Sequence, residues 1–205
     1  MATPSKTADV FFQWSGVPIL EAAANTLTIS TEIDVSTIFV AQLYIDFAPT
    51  STTVITVGPQ LSIQSTPFST GSNGWRPIIS TYTMSITTPN SHAVDGTEAA
   101  ASTVIEETTT TGLANGTVVF FKNATLQNSE WRGVWAVSAG VSFTLVDGLT
   151  NAQTGSTWFN TGQNFQPIVD LSGIKRIRAV LNNNTNATAR ACAVRVGMIE
   201  LASIG

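Results

Sequence analysis

Apolar and polar residues alternate along most of this chain with a period of two. The pattern is clearest at 42–47, 60–64, 141–145 and 175–181. Such alternation places apolar side chains on one face of a strand and polar side chains on the other. The segments are rich in Val, Ile, Thr and Phe, residue types that suit a pleated, half-buried surface. The pattern therefore predicts strands and gives little support for helices.

Turn-forming pairs separate these segments, for example Asn115-Gly116 and Asp147-Gly148. Further alternating segments of the same kind stand at 26–30, 53–57, 118–121, 134–137 and 193–199. Short strands at intervals of about 8–12 residues, with turns between them, are typical of a sandwich or a barrel. We predict an all-β fold, specifically an antiparallel β-sandwich of the jelly-roll-like kind, with a small inserted β-barrel or β-meander.

The insertion is predicted from a change in composition at the threonine run 108–111. The stretch after it has a turn and three strand patterns of its own, but about 40 residues are too few for an independent core. We therefore divide the chain into four parts. They are an N-terminal arm at 1–16, the first part of the sandwich at 17–110, the inserted β subdomain at 111–160 and the returning sandwich strands at 161–205.

Composition narrows the classes of function. Only 11 % of the 205 residues are charged and the net charge is −4, whereas a typical soluble domain has about 25 % charged residues. A hydrophobic content of 43 % is too high for a disordered chain, and no apolar run is long enough for a transmembrane helix. We expect neither a nucleic acid nor a membrane as a partner.

The few charges are unevenly distributed along the chain. Residues 1–110 carry a net charge of −7, and residues 111–205 carry +3. Arg176 and Arg178 are two positions apart, so they share one face of a predicted strand. A chain polarised in this way can dock on an acidic partner or associate head to tail, and we mark both arginines as candidate interface residues.

Catalytic chemistry finds little support. Ser91, His92 and Asp95 supply the residue types of a hydrolase triad, but all three lie within one polar turn, where the histidine can hardly sit between the other two. We predict that the protein is not an enzyme. Ile33-Asp34 and Ile45-Asp46 could face each other on neighbouring strands, and we interpret them as acids at strand ends.

Metal binding also finds little support, because the chain has one histidine and one cysteine, about a hundred residues apart. Cys192 alternates with Val194 and Val196, which predicts a small buried residue. Calcium remains open as an alternative, with Asp95, Glu98 and Asp147 as its possible ligands. We expect no cofactor and no catalytic metal.

Large aromatic residues are the remaining candidates for binding. Phe11, Phe12 and Trp14 stand in the N-terminal arm, where they predict either an anchor for a neighbouring sheet or subunit or simply a first strand. Trp131 and Trp135 are four positions apart and share a strand face. The tryptophans could be structural anchors or a platform on which a sugar stacks, and we favour anchoring.

Several segments resemble small β-rich structural proteins of tailed bacteriophages. They are 75–78, 94–105, 118–123, 128–137 and 145–154. The resemblance implies a virion protein made in the host cytoplasm, and specifically a capsid cement (decoration) protein on the capsid surface. Such a protein would bind the major capsid protein and associate with itself as a homotrimer. A tail or neck component, or a carbohydrate-binding β-module, stays open as the alternative. Phe11, Phe12, Trp14, Arg176 and Arg178 are the interface residues that we propose from the sequence.

Overall fold

Strands make up nearly all of the regular structure in the computed structural model, which describes residues 10–22, 26–50, 58–68, 74–84, 91–160, 163–183 and 192–203. Those ranges contain one short 3-10 helix, Leu126–Asn128, and no α-helix. None of their helices has the length and apolarity needed to cross a membrane. The strands are β1 (Val10–Phe11), β2 (Ile19–Ala22), β3 (Leu27–Ile29), β4 (Ile33–Asp34), β5 (Ile38–Pro49), β6 (Gln60–Thr66), β7 (Arg76–Pro77), β8 (Tyr82–Thr83), β9 (Ser91–Ala93), β10 (Thr97–Glu98), β11 (Val104–Glu106), β12 (Val118–Lys122), β13 (Glu130–Ser138), β14 (Ser142–Leu145), β15 (Gln153–Thr154), β16 (Thr157–Phe159), β17 (Gln163–Phe165), β18 (Ile168–Asp170), β19 (Arg176–Asn182) and β20 (Cys192–Ser203).

Two six-stranded antiparallel sheets form a sandwich. Sheet I has β5 and β20 at its centre, with β1 and β2 beside β20 and with β17 and β18 beside β5. Sheet II has β19 and β6 at its centre, with β3 and β4 beside β19 and with β7 and β8 beside β6. All of these pairings are antiparallel, so the predicted all-β antiparallel sandwich is confirmed.

The sandwich core consists of the alternating apolar residues of both sheets. Leu43, Ile45 and Phe47 of β5 are fully buried against sheet II, and Ile63 of β6 faces them from the other side. Cys192 is fully buried in the same core, as the alternation of β20 predicts. The alternation therefore sets which residues of β5 and β20 point outward, among them Asp46 and Arg195.

A third sheet packs against the outside of the sandwich. Sheet III has the strand order β11-β14-β13-β12-β16-β9, and β10 pairs with β15 in a separate two-stranded ladder. Strands on both sides of the boundary predicted at residue 110 pair in sheet III. The division into an inserted subdomain at 111–160 and flanking sandwich parts stays a prediction.

The two faces of sheet III have different surroundings. Its inner face encloses a core of its own around Phe121, Phe143 and Trp158, all fully buried. Part of its outer face packs on sheet I, where a cluster forms between the two sheets. The members of that cluster are Ile19, Ala48, Phe120, Trp131, Phe159 and Ala193.

Candidate interaction surface

The outer face of sheet III extends beyond its contact with the sandwich. We call the part against sheet I the covered half; it contains Phe120, Trp131 and Phe159, each at most 5 % exposed. We call the rest the open half; it contains Val104, Trp135 and Val146, which are 48 %, 68 % and 58 % exposed. Large apolar side chains thus continue across one sheet face from a covered to an uncovered region.

A β-bulge in β13 positions Trp135. Val134 pairs with Leu145 and Ala136 pairs with Thr144, so Trp135 is the extra residue between the two pairs. Bulges are used in proteins to re-aim a side chain, and this one leaves the indole in solvent. Trp131 precedes the bulge, and its indole Nε1 donates a hydrogen bond to the Phe47 carbonyl oxygen at 3.4 Å. Of these two tryptophans, only Trp135 is accessible to a partner.

Charged and amide side chains organise the outer face of sheet I beside the covered half. Arg195 donates from Nε and Nη2 to Asp46 Oδ2, at 2.9 and 2.6 Å. Asn164 donates from Nδ2 to the other carboxylate oxygen of Asp46. The guanidinium carbon of Arg195 lies 4.8 Å from the centre of the Trp131 ring and 5.6 Å from that of Phe11. The ion pair between Arg195 and Asp46 was not predicted from the sequence. The available signal was that each residue is the one charged position in an otherwise uncharged alternating segment, 193–199 and 42–47.

A groove of about 380 Å³ lies next to this pair. It is lined by residues of four strands of sheet I, namely β1, β5, β17 and β20. Its lining residues are Phe11, Tyr44, Asp46, Asn164, Arg195, Gly197, Met198 and Ile199. The groove combines aromatic rings with fixed polar groups, which is the usual make-up of a small-molecule site.

The residues predicted for the interface lie in three separate places. Phe12 and Trp14, the two inner aromatics of the predicted arm, are 0 % and 2 % exposed in the sandwich core. Phe11 points to the opposite face of sheet I and lines the groove. Residues 1–9 of the arm lie outside the described residues. The role of all three aromatic residues at an interface stays a prediction.

Arg176 and Arg178 lie on the outer face of sheet II, and both have partners within the chain. Arg176 forms an ion pair with Glu32. Arg178 donates from Nε and Nη2 to Gln64 Oε1 at 3.0 and 2.8 Å, and its guanidinium carbon lies over the Trp75 ring, 4.1 Å from the ring centre. Their use in contacts with another molecule stays a prediction.

The serine, histidine and aspartate considered as a triad do not form one. The His92 ring packs in a tilted arrangement against the Trp158 ring, with ring centres 4.7 Å apart. Asp95 Oδ2 accepts hydrogen bonds from the backbone N–H and the hydroxyl of Thr108. No hydrogen bond joins Ser91, His92 and Asp95, all of which the structure describes. The expectation that the protein has no enzymatic activity stays a prediction.

Behind the open half, two carboxyl groups accept hydrogen bonds from backbone N–H groups. Glu107 is 3 % exposed, and burial raises its pKa to about 7. Its Oε1 accepts a hydrogen bond of 3.3 Å from the Asp95 N–H. Glu98 Oε1 accepts one of 3.2 Å from the Glu106 N–H, on the edge strand β11. The described part of the chain contains no group of three or more His, Cys, Asp or Glu side chains suited to a metal ion.

Comparisons with known proteins give weak likenesses. No family model matches the sequence, and no curated protein matches it. The structure is similar to VP17, a capsid protein of bacteriophage P23-77, at 11 % identity and a TM-score of 0.20, over 98 % of this chain and 100 % of that one. It is similar at 10 % identity and the same TM-score to the VP16-VP17 complex of the two major capsid proteins of that phage, over 94 % and 97 %. A TM-score of 0.20 carries no argument, so the function proposed below rests on the surface of this chain.

Proposed function

We propose that this protein is a virion structural protein without enzymatic activity, and that it acts as a capsid cement protein. The open half of sheet III would bind the major capsid protein and so add buried interface to the shell. The observation on which this rests is the exposed apolar surface around Trp135, which continues a face that is already buried in its other half.

Energetics favour an interface role for the open half. Exposed apolar patches on a folded domain mark sites of interaction, because they reduce solubility unless a partner covers them. Tryptophan is among the residues that contribute most to binding when it is buried at the centre of an interface. The residues on either side of Trp135, Val134 and Ala136, are both paired with β14, so little backbone freedom is lost when Trp135 binds.

The low charge of the chain supports the same role. An interface with few ionic groups avoids the cost of removing unpaired charges from water.

We also propose, from the family resemblance, that the protein associates as a homotrimer on the capsid surface. Most soluble oligomers have closed symmetry, in which every copy uses the same surface. In such a trimer, the outer face of sheet II would contribute the charged groups of the pairs Arg176–Glu32 and Arg178–Trp75 to orient neighbouring copies.

The first experiment measures binding of the purified protein to shells from which it is absent. Trp135→Ser should weaken binding by about 30-fold, corresponding to a hot-spot loss of about 2 kcal/mol. Ile168→Ser is the matched control, because Ile168 is equally exposed at 66 % but lies on β18 of sheet I. The proposal predicts that this control binds within about twofold of the wild type. Wild-type affinity for Trp135→Ser would contradict the role of the open half.

A second experiment separates the capsid from the tail. The copy number and position of the protein in purified particles can be read from an electron-microscopic reconstruction. Hundreds of copies spread over the shell would support the cement role. About 6 or 12 copies at one vertex would instead indicate a tail or neck component and would overturn it.

A further inference from the structure

We propose that the groove on the outer face of sheet I binds a neutral carbohydrate. This inference does not depend on the capsid role, because the groove and the open half of sheet III are separate sets of residues. The first argument is the shape and lining. A volume of about 380 Å³ lies within the roughly 300–1,000 Å³ of typical small-molecule sites, and it suits a mono- or disaccharide.

The second argument is the fixed position of the polar side chains. Asp46 is 5 % exposed and receives hydrogen bonds from both Arg195 and Asn164. Gln166 donates from Nε2 to Asn164 Oδ1 at 2.9 Å, and the Tyr44 hydroxyl donates to Gln42 Oε1 at 3.2 Å. Groups that are already held in place lose little entropy when a ligand binds.

The third argument is the hydrogen-bonding capacity that remains. Arg195 uses Nε and Nη2 for Asp46, so its Nη1 has no partner in the described ranges. Asn164 Nδ2 keeps a second hydrogen, and the Tyr44 hydroxyl oxygen can still accept. A sugar hydroxyl both donates and accepts, so adjacent hydroxyls can bond to a guanidinium, an amide and a phenol that lie side by side.

The fourth argument is the charge. Arg195 and Asp46 neutralise each other at 2.6 Å, and the next ion pair, Arg132–Glu130, is balanced in the same way. An anionic ligand would lie close to the Asp46 carboxylate, which is held beside the guanidinium, and a cationic ligand would lie against the guanidinium itself. An uncharged polyol avoids both penalties, and its C–H faces can pack on an aromatic ring.

Phe11 provides such a ring, and Gly197 allows it to lie close to the sheet. A Cβ atom on Gly197 would come within 3.0 Å of Phe11 Cε1. The absence of a side chain at this position therefore lets the phenyl ring rest directly on β20, where it forms one wall of the groove.

The experiment is binding to an array of defined neutral and acidic oligosaccharides, followed by titration calorimetry with the strongest binder. We expect neutral glycans to bind, and we expect Tyr44→Phe and Asn164→Ala each to weaken the affinity by about tenfold, the loss typical of hydrogen bonds in a polar site. Trp135→Ser is the control and should bind glycans within about twofold of the wild type. Melting temperatures of all variants verify that they are folded.

Three outcomes would overturn the inference. They are a wild-type protein that binds no glycan, a preference for acidic glycans, and an affinity that survives both groove substitutions. If Tyr44→Phe and Asn164→Ala weaken shell binding instead, the groove is a protein contact. Loss of shell binding in Trp135→Ser, with glycan binding retained, would leave the cement role and the carbohydrate site standing separately.

Discussion

The covered and open halves of sheet III's outer face have similar residues and different surroundings. In the covered half, the Phe120 and Trp131 rings pack at a tilt, with ring centres 4.4 Å apart, beneath sheet I. In the open half, Trp135 stands on the same strand as Trp131 and is exposed. Hydrophobic stabilisation depends on the apolar area removed from water. The covered half therefore stabilises the fold of the chain, whereas the open half leaves the same type of free energy available to a partner.

The largest expected difference between the halves concerns Trp131. Trp131→Ala should lower the free energy of unfolding by about 3–5 kcal/mol, because it opens a cavity between sheets I and III. It also removes the hydrogen bond to the Phe47 carbonyl and the ring beside Arg195. Urea denaturation monitored by fluorescence measures the change. A loss below about 1 kcal/mol would mean that the covered half contributes little to the fold.

The next effect concerns pH and the carboxyl group behind the open half. The pKa of Glu107 is raised from 4.5 to about 7 by burial, so the folded protein retains a proton that the unfolded chain has released. The free energy of unfolding should therefore decrease as the pH rises from about 4.5 to about 7, by up to about 3 kcal/mol.

Urea denaturation of the wild type and of Glu107→Gln across that pH range measures this contribution. The glutamine variant cannot ionise, so its stability should lack this decrease. Parallel pH profiles for the two proteins would show that Glu107 does not titrate in the range. Asp95 and Glu98 also face the Glu107 carboxyl group. Both residues are present in the wild type and in the variant, so the difference between the two profiles isolates Glu107.

A smaller effect tests how firmly the open half is held. A Cβ atom on Gly148 would lie 2.7 Å from the backbone oxygen of Ala101, and backbone cannot move aside as easily as a side chain. Gly148→Ala should therefore cost about 2 kcal/mol of stability. Hydrogen exchange should become faster in β11 and β14, which adjoin this contact. Unchanged exchange and stability would show that the strands of the open half tolerate displacement.

The smallest expected effect is on the stability of a variant in the open half itself. Trp135→Ser should change the free energy of unfolding by at most about 0.5 kcal/mol, because its side chain is already in solvent. Thermal denaturation in parallel with Trp131→Ala makes the comparison direct. A large destabilisation by Trp135→Ser would mean that the indole packs within the chain, and the contrast between the halves would be lost.

The sequence was sufficient to predict the long strands. The segments 42–47 and 193–199 lie within β5 and β20, and 175–181 corresponds closely to β19. In these strands one face is buried, so alternation is strong. The strand predicted at 53–57 lies outside the described residues. The two-residue strands β7, β10 and β15 were not predicted, because two residues are too few to show an alternation of apolar and polar positions.

Pairing between distant strands could not be predicted. Asp34 and Asp46, considered as neighbours, lie in different sheets, since β4 pairs with β19 and β5 pairs with β20. The bond between Asp46 and Arg195 depends on that pairing. Likewise, the spacing of Trp131 and Trp135 predicted a shared face, but only the position of sheet I decides which tryptophan is covered.

The hydrogen bond from the Glu106 N–H to Glu98 has a consequence for assembly. A sheet edge with free backbone groups can recruit another strand, and each recruited strand exposes a new edge, so growth continues without limit. The Glu98 carboxylate occupies that backbone donor and adds a negative charge at the rim of sheet III. Under the proposed cement role, association at this sheet would use the face that bears Trp135 and not this edge, so one partner would complete the contact and no new edge would form.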